Sequence, residues 1–330
     1  MIDEPEMCLH PPQAHSLGRF IGRYGSSTDT ATLVATHSSQ VLRGVIQATS
    51  DVQIVRLTRR DGKFSAHLVP ADVLTEAVAK PTVRAESVLD GIFAQSVVVV
   101  EGDGDRLAYQ TTWETLASEL RLDVHFAAVG GTGGIADTCK LYRTLDIPIA
   151  VIADLDIVGD LDKLRRVLEV MATADMARSL VSEASQVIEE IRKLPPSISR
   201  EEVTASLNSI INGPMEWIDR DDLRVRQELR RLATQLDRMR GLKRGGISRF
   251  QDPLAARLRQ LVSTLKTVGI FLVPVGELEE WLANENIGKS RVNNKWAWAN
   301  AAALRIQAKG ATKGDIWDFV REVGNYLSSQ

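Results

Sequence analysis

Two uninterrupted apolar runs, each ending in acid, constrain this chain more than any other feature. Ser96 to Asp105 reads SVVVVEGDGD, and Pro148 to Asp156 reads PIAVIADLD. A strand that is apolar at every position, rather than at every second one, is covered on both faces. Strands of that kind belong to parallel sheets flanked by helices. Groups at the C-terminal ends of such strands converge on the crevice where open α/β sheets bind ligands. Glu101, Asp105, Asp154 and Asp156 are thereby aimed at one place, and Asp154 and Asp156 share a face because alternate residues of an extended chain point the same way. Gathered carboxylates repel one another and rise in pKa unless a hard divalent cation, which prefers oxygen ligands, compensates them. Taken alone, an acidic turn after a strand can also be a turn former or a helix N-cap.

The rest of the chain is organised around these runs. The expected fold class is α/β: a parallel sheet with flanking helices and a helical insertion, preceded by a separate N-terminal unit. Residues 85–160 would hold the first strands and an amphipathic helix from Asp105 to Leu120, the alternation typical of βαβ units. Residues 161–266 read as helices separated at Pro195-Pro196 and Gly213-Pro214, with Ser199 and Glu202 spaced as a capping box. Residues 267–330 would complete the sheet domain. Residues 1–80 form the N-terminal unit, with a hairpin from Val52 to Val69 turning at Arg60-Asp61-Gly62-Lys63.

Composition narrows the class. With 330 residues and 44% hydrophobic content the chain can bury two cores. No apolar run approaches the ~20 residues of a membrane span. The start, MIDEPE, lacks the basic and apolar regions of a signal peptide, and Cys8 and Cys139 stand far apart without partners at metal spacing. A cytoplasmic enzyme with no membrane attachment is expected. The net charge of −3 gives no global attraction to nucleic acid, so any DNA contact has to come from local basic patches.

The pair of acidic strand ends resembles the Toprim domain, the metal-dependent catalytic module of topoisomerases, primases and OLD (overcoming lysogenization defect) family nucleases. Glu101, Asp154 and Asp156 stand at the matching positions, and Asp105 matches the extended form of the OLD-like nucleases. Gly269 to Leu282, GIFLVPVGELEEWL, looks like the final Toprim strand with its acidic turn. Glu279 aligns best with the family's additional metal-ligand glutamate, and Glu277 or Glu280 is a second candidate. The resemblance implies two Mg²⁺ or Mn²⁺ ions roughly 4 Å apart on Glu101, Asp105, Asp154, Asp156 and Glu279, one activating water and the other stabilising the leaving oxygen. No side-chain nucleophile is then needed, whereas a topoisomerase requires a tyrosine. Tyr24, Tyr109, Tyr142 and Tyr326 lie in no recognisable DNA-gate domain.

The N-terminus carries a second resemblance. Met1 to Pro11, MIDEPEMCLHP, looks like the end of a Walker B strand in an ABC-type ATPase, with Asp3 on Mg²⁺ through water and Glu4 polarising the attacking water. TLVATHSSQVL then presents His37 where that family has its switch histidine. No GxxxxGK[ST] phosphate loop occurs, so the sequence reads as the C-terminal part of an OLD-like protein. ATP would act only in a full-length ATPase context, and no ATP hydrolysis is expected from these residues alone. The resemblance further implies a homodimer or higher oligomer through the ATPase region, a helicase-type or other defence partner, and work in phage defence or DNA repair.

Two regions are candidates for DNA contact. Arg224 to Arg249 is rich in arginine, and within it Lys243, Arg244 and Arg249 surround Gly245-Gly246, where backbone amides can approach a phosphate. An ordinary solvated helix face, with Glu228 and Asp237 as partners, is the alternative for the helical part. Gly131 and Thr132 lie in the GGTGG loop, which suits either a phosphate cradle or a tight strand-to-helix connection. OLD-like nucleases also place a lysine on the scissile phosphate, and Lys309 and Lys313 are the candidates. Trp296, Trp298 and Trp317 suit core packing or base stacking. The sequence therefore reads as a metal-dependent DNA endonuclease or nickase of the OLD type. A primase or RNA-processing Toprim enzyme, and a non-catalytic assembly subunit, are the alternatives.

Overall fold

A computed structural model of the chain describes residues 1–27, 31–60, 62–69, 86–212, 219–285, 287 and 295–330. Asp61 of the hairpin turn and the Gly213-Pro214 break lie outside the described residues. The N-terminal unit contains β1 (Ile2–Asp3), α1 (Pro11–Ser26), β2 (Val34–Ala35), α2 (Ser39–Ala48), β3 (Ile54–Arg60) and β4 (Lys63–Val69). The sheet domain begins with α3 (Glu86–Asp90), β5 (Ser96–Val100), α4 (Asp103–Thr115), β6 (Val124–Ala128), α5 (Ile135–Thr144) and β7 (Ile149–Asp154). A helical stretch follows: α6 (Leu161–Met171), α7 (Ala174–Lys193), α8 (Arg200–Asn212), α9 (Asp219–Leu236), α10 (Arg240–Lys243) and α11 (Leu254–Thr267). The chain returns through β8 (Ile270–Val273) and ends with α12 (Lys295–Lys309) and α13 (Asp315–Ser328).

The central sheet has the strand order β6-β5-β7-β8, and every neighbouring pair is parallel. Its strands divide their side chains between two cores. Val97, Val99, Val151, Ala153, Ile270 and Leu272 pack on one face with residues of α5, α6, α7 and α11. Val98, Val100, Ile152, Phe271 and Val273 pack on the other with residues of α4, α12 and α13. Successive residues of a strand point to opposite faces, so a sheet buried on both sides needs apolar residues at every position. That is the physical origin of the VVVV and IAVIA runs.

The connections place a topological switch point at the centre of the sheet. From β5 the chain passes through α4 on one face to β6, then through α5 on the other face back past β5 to β7. The connections thus diverge between β5 and β7, and a crevice opens at the carboxyl ends of these two strands.

In the helical stretch, Ser199 and Glu202 make the reciprocal capping bonds at the start of α8, at 2.9 and 3.1 Å. The N-terminal unit joins the sheet domain at the opposite end from the crevice. There Arg56 of β3 donates to the carbonyls of Ile92 and Ala94, at 3.0 and 2.7 Å, and to that of Leu145 at 3.5 Å.

Two glycines lock the helical stretch onto the turn after β8. Gly246, at φ +56°, lies so close that a Cβ there would fall 2.1 Å from the Pro274 carbonyl oxygen. Gly276, at φ +112°, would carry a Cβ 2.2 Å from the Lys243 carbonyl oxygen. Both contacts are with backbone, which cannot swing aside. Gly276→Ala therefore meets a steric conflict and a left-handed φ together, and should lower stability by about 2–5 kcal/mol. Urea unfolding monitored by circular dichroism checks this, and an unchanged midpoint would show that the two turns do not interlock.

Candidate metal and phosphodiester site

The ends of β5, β7 and β8 present the acidic residues side by side. Glu101 follows β5 directly, Asp154 is the last residue of β7, and Asp156 lies in the 3₁₀ turn behind it. The Glu101 carboxylate accepts a bond from the Asp154 amide at 3.4 Å, spanning the switch point. Asp105 occupies the first turn of α4 and accepts from the Gly102 amide at 3.1 Å, so it also caps its own helix. Asp105 is thus the third residue of α4 and satisfies the amide of its N-cap, Gly102. Behind Asp105, the buried Tyr109 hydroxyl accepts from Trp281 Nε1 at 3.1 Å and ties α4 to the turn that carries Glu277 and Glu279.

Electrostatics mark the same residues. Burial pushes Asp154 well above the usual carboxylate range, and Glu101, Asp105 and Asp156 add to the rise against the pull of Lys295. Glu101 is raised by burial and by its acidic neighbours, again against Lys295. Glu277 is raised by burial first and by Glu279 second. These are the responses of like charges that share a low-dielectric site.

Two lysines answer them. The Lys295 ammonium, at the start of α12, lies 3.1 Å from Asp105 Oδ1 and 3.9 Å from Asp154 Oδ2. Its stem passes over Gly104, where a Cβ would stand 3.4 Å from Lys295 Cγ. Burial pulls this ammonium down, yet Asp154, Asp105 and Glu279 outweigh it and raise its pKa. Lys243, at the end of α10, lies 3.7 Å from Asp156 Oδ2 and 3.7 Å from Glu277 Oε2. Burial opposes its charge too, and Asp156, Asp154 and Glu277 prevail.

The donor chemistry suits a hard divalent cation, since every acidic group at the crevice is a carboxylate. Glu279 adds an unsatisfied atom: its Oε2 is buried without a hydrogen-bond partner. Among the described residues no three acidic, histidine or cysteine side chains already close on a single point. The Lys295 ammonium stands where positive charge is needed between Asp105 and Asp154, so Glu101, Asp105, Asp154, Asp156 and Glu279 would hold a metal once that ammonium yields its place.

The remaining candidates are distributed as follows. Glu280 lines a cleft of about 460 Å³ together with Trp281, Asp315, Asp318 and Phe319. Gly131 lies beside the crevice, its amide donating to the Glu101 carbonyl at 2.7 Å, and Thr132 begins the short turn that follows. Gly130 and Gly131 have φ of +72° and +121°, and a Cβ on either would meet nothing within 4 Å, so this loop faces open space. Arg244 follows Lys243, and Arg249 is exposed in the next 3₁₀ turn. Arg231 of α9 bonds Glu228, Gln235 and Ser206, and Arg238, just past the end of that helix, bonds the Leu194 carbonyl, so these arginines brace helices.

Lys309 pairs with Glu285, and its ammonium lies 5.3 Å from the centre of the Trp317 ring. Lys313 is exposed. The lysines at the crevice are Lys243, one of the basic residues noted in the sequence, and Lys295, which the sequence reading did not single out. Trp298 and Trp317 are buried in the core, while Trp296 is exposed.

At the N-terminus, β1 and β2 pair in parallel with Asp3 opposite Ala35. His37 Nδ1 lies 3.5 Å from Glu4 Oε1 and 3.4 Å from Glu6 Oε1. Glu6 had carried no expectation. It is buried and accepts from the Thr36 hydroxyl at 2.6 Å and the His37 amide at 3.2 Å. Burial pulls its pKa up, but these donors bring it below the usual value.

The raised pKa of Asp154 sets the sign of a stability effect. Its folded-state value lies above the ordinary 3.8, so ionisation is disfavoured in the fold. The resulting cost is absent below the unfolded value and complete above the raised folded value. Metal-free Asp154→Asn should therefore melt at a higher temperature than the parent at about pH 8, with the difference shrinking toward about pH 4. Melting both proteins in EDTA across that range checks this, and a parent more stable at every pH would reverse the sign.

Comparison with known proteins places this geometry. Residues 92–156 match the family described as "Overcoming lysogenization defect protein-like, TOPRIM domain". The chain is 29% identical over 169 residues to an OLD nuclease of Thermus scotoductus, a stretch covering 48% of this chain and 30% of that protein. The chain thus spans less than a third of the length of this curated relative. A solved structure of the C-terminal region of the Burkholderia pseudomallei OLD protein aligns at 20% identity and a TM-score of 0.29, covering 72% of this chain and 98% of that one. The segment matched by the family contains Glu101, Asp105, Asp154 and Asp156, so residues 92–156 of this chain are similar to the OLD-like Toprim domain.

Proposed function

We propose that this chain is the nuclease part of an OLD-type protein and cleaves DNA phosphodiester bonds with divalent metal ions. The observation that carries the reading is the meeting of Glu101, Asp105 and Asp154 at the switch point, with the Lys295 ammonium among them. When bound, two ions of the Mg²⁺ or Mn²⁺ type would activate a water and stabilise the leaving oxygen. Glu101, Asp105, Asp154, Asp156 and Glu279 would hold them.

The chain's own residues supply the rest. Burial of Asp154 and Glu101 keeps the crevice at low dielectric, where charge on the phosphoryl oxygens is more strongly stabilised than in water. Lys295, released from Asp105 and Asp154, would contact a non-bridging phosphate oxygen. The open GGTGG loop beside Glu101 and the residues Arg244 and Arg249 would seat neighbouring phosphates of the strand. In the N-terminal unit, the parallel pairing of β1 and β2 and the approach of His37 to Glu4 and Glu6 support reading residues 1–80 as the end of an ATPase domain. ATP coupling, oligomerisation and a role in phage defence or DNA repair would belong to the longer protein.

The test uses supercoiled plasmid with Mg²⁺, Mn²⁺, Ca²⁺ or EDTA. Nicked or linear product is expected with Mg²⁺ or Mn²⁺, and Asp154→Ala, Glu101→Ala and Lys295→Met should each slow its appearance by about 100-fold or more. Folded variants that cut as fast as the parent would remove the crevice from the mechanism. Intact plasmid throughout would favour an assembly role for the chain.

A further inference from the structure

Lys243 reaches the carboxylates by an unusual route. Its own carbonyl is pressed against Gly276, and Gly246, three residues on, is pressed against Pro274 to Gly276. The Ile247 amide donates to the Pro274 carbonyl at 2.9 Å, and the Gly276 carbonyl accepts from Leu155, the residue between Asp154 and Asp156, also at 2.9 Å. Leu242, fully buried, anchors the preceding position in the core. The backbone of Lys243 is therefore fixed to the same frame that carries Asp154, Asp156 and Glu277.

An exposed ion pair needs no such frame. Pairs of that kind form on flexible stems and contribute little to stability. The Lys243 side chain remains 49% exposed, so its ammonium can meet an incoming anion, while Lys295 approaches Asp105 and Asp154 from α12. The crevice is bracketed by two cations delivered from different parts of the chain.

We propose that Lys243 is a second catalytic lysine, which leaves Asp156 and Glu277 when DNA enters and contacts a non-bridging oxygen of the phosphodiester being cut, across the crevice from Lys295. The assignment rests on the nuclease reading above. Lys243 transfers no proton and forms no bond. As the water oxygen joins phosphorus and the bond from phosphorus to the leaving oxygen breaks, its charge offsets the negative charge growing on the phosphoryl oxygens. Its departure also frees Asp156 and Glu277 as the phosphate arrives.

The experiment compares the parent with Lys243→Met and Lys243→Arg, each as the full chain. Single-turnover plasmid cleavage in Mn²⁺ is read at saturating DNA, affinity for a labelled duplex by fluorescence anisotropy in Ca²⁺, and Mn²⁺ binding by the paramagnetic resonance of the free ion. Lys243→Met should slow cleavage about 100-fold at saturating DNA, with Lys243→Arg recovering part of the rate and duplex affinity changing less than about threefold. Lys243→Met should bind Mn²⁺ at least as tightly as the parent, because a competing ammonium has gone. A Lys243→Met rate within about threefold of a parent that cuts would overturn this assignment and leave the nuclease reading standing. Loss of Mn²⁺ binding in Lys243→Met would make the residue structural and overturn it equally. A parent that leaves DNA intact would overturn the nuclease reading and this assignment with it.

Discussion

Like charges forced together at the seam between β5 and β7 set the terms for the rest of this molecule. The sheet brings Glu101 against the backbone of Asp154, and the helix and turns around them add Asp105, Asp156, Glu277 and Glu279. Such a group is unstable without positive charge nearby. Lys243 and Lys295 supply part of it, each sent in by a segment distant in sequence from the seam. The two lysines compensate only part of the charge that the six carboxylates would carry when ionised.

Much of the sheet was legible because burial on both faces writes itself into composition. The Val97 to Val100 and Ile149 to Ala153 runs have no polar residue, and nothing but a covered parallel strand accommodates that pattern so directly. The acidic residues were legible for a related reason: each lies within a few residues of a strand end, so local sequence fixes its position on the crevice. Asp105 shows the limit of this reasoning, since it both caps α4 and faces the crevice.

The lysines were harder to read. Lys295 enters the site because α12 lies across the start of α4, and the only local trace of that approach is the small residue at Gly104. Lys309, at the other end of the same helix, is drawn instead to Glu285, which lies well before it in the chain. Lys243 stood out as one charge in a basic stretch, whereas its nearness to Asp156 depends on the fit of Gly246 and Gly276 against facing backbone. Glu6 drew no notice because a glutamate in an acidic N-terminus looks solvated until Thr36 and the His37 amide fold over it. In each case tertiary approach, not local pattern, decides the partner.

The Arg56 junction has a different character from the lysine pairs. It joins β3 to the main-chain carbonyls of Ile92, Ala94 and Leu145, just ahead of β5 and behind α5. These acceptors carry no proton to lose or gain, so acid leaves them unchanged. The crevice is held by groups that titrate, while the junction at the other end of β5 is held by an arginine on main-chain carbonyls. Force applied to the N-terminal strands would accordingly arrive at the sheet as a displacement of backbone, entering at the root of the strand whose tip bears Glu101.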